Sequence, residues 1–132
     1  MRSQESGFSL LEIMVVLVIM GMLAAIVAPN VMNAADEAKV DTTRSQIKNL
    51  EQTLKMYKLN EHQYPSSSDG LKALLSGGKK GKKYMDHLPK DGWGNDFIYV
   101  FPGVHGDFDL LSYGADAQNG GSDFDADIGN WE

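Results

Sequence analysis

The sequence predicts an α+β fold in which one long N-terminal helix, apolar at first and amphipathic later, packs on a small antiparallel sheet. Three observations carry that expectation. Residues 8–28 form an unbroken apolar run whose single charge is Glu12. From Met32 onward, Val40, Ile47, Leu50, Leu54 and Tyr57 follow three- and four-residue steps among charged and polar neighbours, the period of a half-buried helix. Further on, two short segments rich in aromatic and branched residues flank the pair Pro102-Gly103, as the strands of a hairpin do.

As a helix at about 1.5 Å per residue, the run over 8–28 would be roughly 31 Å long, the thickness of a bilayer's hydrocarbon core. An ordinary secretory signal has a shorter apolar stretch with small residues at a cleavage site after it. Here the run is long, the leader MRSQESG is short and polar, and no such site is present. An uncleaved signal anchor is the plain alternative, but it leaves Glu12 unexplained. A carboxylate inside a spanning helix costs on the order of 2.5 to 3.5 kcal/mol on insertion scales; as an interfacial residue near the helix start, Glu12 could instead snorkel to the surface. Gly21 and Pro29 weaken the hydrogen-bond ladder, so a kink or melted stretch is expected near Pro29. The helix should end near Asn60, ahead of Tyr64-Pro65, because proline disfavours helical geometry in the residue before it.

A short second helix is expected after Ser66, which can cap with Asp69 three residues on, while Leu71, Leu74 and Leu75 supply an apolar face. Residues 76–83, SGGKKGKK, read as an exposed flexible loop with no binding role. Asp91-Gly92 and Gly94-Asn95 are turn signals around Trp93. Residues 97–101 should form one strand, and Phe108, Leu110 and Leu111 a second paired antiparallel to it. Residues 112–132 are too rich in Asp, Asn and Gly to hold regular structure for long, so something must order them or they form a tail.

With 132 residues and a net charge of -6, the chain has room for one anchor and one compact domain, and no basic face for nucleic acid. The absence of cysteine removes disulfides and thiolate sites. His62, His87 and His105 sit in no catalytic motif, so neither an enzyme nor a small-molecule substrate is expected.

The terminal segment sets Asp116, Asp123, Asp125 and Asp127 among Gly114, Gly120, Gly121 and Gly129. Calcium takes six to eight oxygens from carboxylates and carbonyls, and glycine-rich turns can aim carbonyls inward. The spacing Asp123-x-Asp125-x-Asp127 imitates the opening of an EF-hand, but Ile128 occupies the required glycine position. On composition alone, a solvated acidic loop is the better reading.

The start, Gly7 followed by Phe8-Ser9-Leu10-Leu11-Glu12 and the apolar run, resembles the type IV prepilin signature. That resemblance implies cleavage between Gly7 and Phe8 by a prepilin peptidase, N-methylation of Phe8, and a role for Glu12 in setting filament register. A new amine at Phe8 would lie four residues from Glu12 and neutralise its charge in lipid. The terminal GAD-x-x-x-GG-x-D-x-DADIGNW resembles the loop of type II secretion major pseudopilins, which wraps one calcium ion. It implies side-chain ligands at Asp116, Asp125 and Asp127 and carbonyls at Tyr113 and at Ser122 or Asp123. The resemblance covers essentially the whole chain, departing where Asp91-Gly92-Trp93-Gly94 stands for the usual Asp-Pro-Trp-Gly.

Taken over the whole chain, the resemblance implies a type IV pilin-like fold with a calcium-ordered C-terminal loop. Residues 1–7 would be a leader, 8–28 a transmembrane and filament-core helix, and 29–132 a periplasmic domain. The expected function is a homopolymer, the periplasmic pseudopilus that drives folded proteins across the outer membrane, working with minor pseudopilins and an inner-membrane assembly platform. The expected location is the inner membrane, single-pass. A monomeric membrane-anchored calcium- or cargo-binding module is the alternative from another class. An adhesive or motility pilin is the alternative within this one, although many of those close their terminal loop with a disulfide.

Overall fold

The computed structural model describes residues 7–79 and 81–132. The chain divides into two compact units, Met1–Ala35 and Asp36–Glu132. Helix α1 spans Leu10–Glu61, so each unit contains part of it.

In the first unit α1 is apolar on every side, and large side chains such as Leu17, Met22 and Ile26 are more than half exposed. Helix is the local answer for such a run, because it satisfies every backbone group within the segment. The expected melting at Pro29 does not occur, since α1 continues through it. A proline removes one donor and leaves the flanking turns bonded. The Asn30 side-chain amide adds a bond to the Ile26 carbonyl at 3.5 Å.

In the second unit α1 buries Thr43, Ile47, Leu50 and Leu54, with Val40 and Tyr57 half-buried beside them. Thr43 is an addition to the expected stripe. Its hydroxyl donates to the Lys39 carbonyl at 2.7 Å and accepts the Gly92 N–H at 2.9 Å, so a polar group is buried without an unmet bond. Tyr64, Leu71, Leu74, Phe97, Phe108, Leu110 and Ile128 complete the core. Tyr64 meets Phe108 edge-on with ring centroids 4.8 Å apart. The Tyr99 hydroxyl donates to the Pro65 carbonyl at 2.7 Å, and burial foremost pushes its pKa up.

Ser66 makes the anticipated bond with Asp69, but it closes the turn before Gly70 and does not cap the short helix that follows. Its hydroxyl accepts the Asp69 N–H at 3.2 Å and its carbonyl accepts the Gly70 N–H at 2.8 Å. A 3₁₀ turn over Gly70–Lys72 comes next and leads into the short helix α2, Ala73–Ser76. Gly77, at φ 85°, ends it in the left-handed conformation that favours glycine. The described part of the segment after α2 lies outside helix and strand, as its composition suggested, and is tethered near both of its ends. Glu61 accepts the Lys79 N–H at 3.0 Å and the Tyr84 hydroxyl at 3.3 Å, and the Leu74 carbonyl accepts the Tyr84 and Met85 N–H groups.

The sheet has the order β1-β2-β3 and is antiparallel throughout, with β1 at Ile98–Val100, β2 at Asp109–Ser112 and β3 at Ile128–Gly129. Tyr99 faces Leu110 and Ser112 faces Ile128. The first two strands are the expected hairpin; the third is an addition at the end of the acidic segment. Asn130 extends that pairing, because its Oδ1 accepts the Leu110 N–H while its own N–H reaches the Leu110 carbonyl.

Leu50 and Leu54 are 0% exposed, so Leu50→Ala or Leu54→Ala should lower the unfolding free energy by about 2 to 5 kcal/mol. Met56→Ala, on the exposed side of the same helix, should change it by under about 0.5 kcal/mol. Urea denaturation of the three variants checks both figures.

Candidate functional site

At the N-terminal end, Gly7, Phe8 and Ser9 lie outside regular structure and α1 begins at Leu10. The rest of the proposed leader, residues 1–6, lies outside the described residues. Among the described residues, a Cβ added at Gly7 would meet nothing within 4 Å. Ser9, counted in the sequence only as a hydroxyl, is the helix cap. Its Oγ accepts the Glu12 N–H at 3.1 Å, and its carbonyl accepts the Ile13 N–H at 3.3 Å. The pattern Ser-x-x-Glu before an apolar run was the available signal. Glu12 is exposed, and among the described residues no ion pair reaches it. The most apolar 18-residue window of α1 has a mean hydropathy of 2.8, and none of it is buried by the rest of the chain.

The acidic segment is a loop joining β2 to β3. Gly114, at φ 77°, presses so closely on the far limb that a Cβ there would come within 2.8 Å of the Phe124 carbonyl oxygen. The Ala115 N–H donates to that same oxygen at 2.9 Å. Asp116 accepts the Gln118 N–H at 3.1 Å, and Asp127 reaches across the loop to accept the Gly120 N–H at 3.1 Å. Ser122 and Asp125 share a turn, the Asp125 N–H bonding the Ser122 carbonyl at 3.0 Å, and Tyr113 is half-buried at the loop's root. Ala117 and Asp123 hold positive φ, 54° and 53°, which costs a residue with a Cβ about 1 kcal/mol.

The donors are therefore gathered in one loop, and all are the hard oxygens calcium takes. They do not converge as they stand: among the described residues, no three acidic or histidine side chains are grouped to hold an ion. Asp116 and Asp127 are turned instead to backbone N–H groups.

Sequence reasoning missed two further carboxylates. Asp91 accepts the Trp93 and Asn95 N–H groups at 3.0 and 2.8 Å, and the Ser112 hydroxyl at 2.6 Å. Ser112 in turn accepts the Gly114 N–H at 3.1 Å, so the root of the acidic loop is bonded to the Trp93 turn. Asp109, also buried, accepts the Val104 and His105 N–H groups and lies 3.1 Å from His105 Nδ1. The His105 ring stacks on Trp131 with centroids 3.9 Å apart. Thus one histidine and one tryptophan without a motif have a structural use.

A membrane-length apolar helix continuing into a domain of α1, a short helix and a three-stranded antiparallel sheet defines a pilin-like subunit. Residues 30–131 match the family described as type II secretion system (T2SS), protein G, and residues 2–28 match the prokaryotic N-terminal methylation motif. The chain is similar to the type II secretion system core protein G of Pseudomonas aeruginosa, at 50% identity over 99% of this chain and 98% of the relative. Against the protein of the same name in Escherichia coli the identity is 44%, over 97% and 92%. The crystal structure of the major pseudopilin from the type 2 secretion system of enterohaemorrhagic Escherichia coli superposes with a TM-score of 0.65. It is 35% identical, and the match covers 78% of this chain and 95% of that one. The chain belongs to the type II secretion protein G family and is a major pseudopilin, a structural subunit.

Burial raises the pKa of the Asp109 carboxyl, but its hydrogen bonds from Val104 and His105 overcome that and leave it below the usual carboxylate range. A lowered folded pKa stabilises the fold above the unfolded value, and that stability is lost as pH falls through the folded one. The melting temperature should decline as pH falls below about 4, and less steeply in Asp109→Asn. Thermal melts across pH 2 to 7 check this; parallel profiles would show that Asp109 is not coupled to folding.

Proposed function

We propose that this major pseudopilin is made as a precursor, cut between Gly7 and Phe8 by a prepilin peptidase, and N-methylated at Phe8. It then polymerises into the periplasmic pseudopilus that drives folded proteins across the outer membrane. The observation that carries this reading is an apolar helix left uncovered by its own chain that holds the carboxylate Glu12. In a monomer that surface needs lipid and the carboxylate lacks a partner. In a filament, like helices cover one another, and an amine at Phe8 of a neighbouring copy neutralises Glu12. Gly7 supports the cut, since a glycine with open space around it among the described residues suits an outside reader that needs a small residue. Residues 8–28 then cross the inner membrane once, residues 29–132 lie in the periplasm, and an inner-membrane assembly platform and minor pseudopilins serve as partners. Glu12→Ala should leave membrane insertion and processing intact while cutting filament yield at least about tenfold. Filaments imaged at the parent's yield would refute the register role.

The acidic loop is proposed to hold one Ca²⁺ through the carboxylates of Asp116, Asp125 and Asp127 and the carbonyls of Tyr113 and Ser122, with Asp123 as a further candidate. What supports this is the kind of donor, their confinement to one loop rooted in the sheet at both ends, and the positive φ at Ala117 and Asp123. The ion would supply positive charge among aspartates that otherwise repel, and binding only the folded loop would stabilise the fold. At a hundredfold excess over Kd, calcium should raise the melting temperature of the fragment from Met32 onward by roughly 10 °C, and magnesium should not. Asp125→Ala should remove the shift; a variant that keeps it would place the ligands elsewhere.

A further inference from the structure

The second unit carries opposite charge at two distant places on its own surface. Glu37, Val40, Asp41, Asp123 and Phe124 line a groove of about 550 Å³. Its apolar walls, Val40 and Phe124, are half-buried, and its three carboxylates belong to exposed residues. Glu37 and Asp41 stand one turn apart on α1. Among the described residues neither they nor Asp123 is in an ion pair; the neighbouring Lys39 pairs with Asp36 at 3.8 Å. Apolar walls with an acidic rim suit a lysine, whose stem packs on hydrocarbon while its ammonium stays among charges.

A source of lysines lies at the other end of this stretch of α1, about 30 Å along the helix from Asp41 at about 1.5 Å per residue. There Glu61 holds the Lys79 N–H and the Tyr84 hydroxyl. Gly78 lies so close to that carboxylate that a Cβ would stand 2.7 Å from its Cδ. These bonds hold Lys79 and Tyr84, which flank Lys82 and Lys83, against α1, so this lysine arch loses less ordering entropy when a partner binds. Lys79, Lys82 and Lys83 are exposed on it, and among the described residues none is in an ion pair.

We infer that the acidic groove of one copy receives the lysine arch of a second copy. The two faces differ and lie far apart on one unit, so the contact is heterologous and can repeat without closing. The inference rests on the filament reading above and names a contact for it outside the apolar helix. Like charges brought together at such a contact cost several kcal/mol, which makes it testable by reversal.

The chain has no cysteine, so the full-length protein can carry one designed pair, Asp41→Cys with Lys82→Cys, in cells that assemble the filament. Oxidation should yield a ladder of disulfide-linked multimers from the double variant and none from either single variant. Glu37→Lys with Asp41→Lys should cut filament yield at least about tenfold, as should Lys82→Glu with Lys83→Glu, and all four together should recover most of it. Parental yield in either reversal, no recovery in the fourfold variant, or filaments without a ladder would each overturn the contact and leave the filament reading standing. If anionic vesicles, but not neutral ones, shield Lys82 and Lys83 of the full-length chain from amine modification and no ladder forms, the arch serves lipid and the inference fails. If the parent itself forms no filament, the filament reading falls and this contact with it.

Discussion

The buried carboxylate of Asp91 is the constraint on which the second unit depends. A charge removed from water is costly unless donors surround it, and Asp91 collects three: two N–H groups of its own turn and the Ser112 hydroxyl from β2. The three bonds fix two pieces of the chain. The turn around Trp93 closes on the first two, and the third joins that turn to the sheet. Through the Gly114 N–H, Ser112 then sets the root of the acidic loop. The next residue, Gly92, donates its N–H to Thr43 on α1, which brings the helix into the same network.

Gly92 also explains why the departure from the usual Asp-Pro-Trp-Gly pattern is tolerated. A proline would have supplied rigidity but no N–H. Glycine gives up the rigidity and gains a bond to a buried threonine. It fits closely as well, since a Cβ at Gly92 would lie 2.7 Å from the Lys39 Cα.

How much was legible depended on whether the signal was periodic or convergent. The apolar run, the stripe of Ile47, Leu50 and Leu54, and both hairpin strands repeat at the periods of helix and strand, so the residues announce them. Thr43, Asp91 and Asp109 are single polar residues whose partners are distant in sequence, and nothing local distinguishes them from turn or surface residues. The tether of the lysine-rich loop was illegible for the same reason: Glu61, the residue that holds it, lies eighteen positions before Lys79. Strand β3 was missed because two residues are too few for a period, and Asn130 completes the pairing with its side chain. The N-terminal methylation motif was legible through its spacing, while the acidic loop's carboxylates could be named without the arrangement they take.

The most direct test of this account is the unfolding free energy of Asp91→Ala, measured by urea denaturation beside the parent protein. If the carboxylate joins helix, turn, sheet and loop, its loss should remove about 3 to 5 kcal/mol, because the donors it satisfied stay buried. A change below about 1 kcal/mol would contradict the account and reduce Asp91 to an ordinary turn residue.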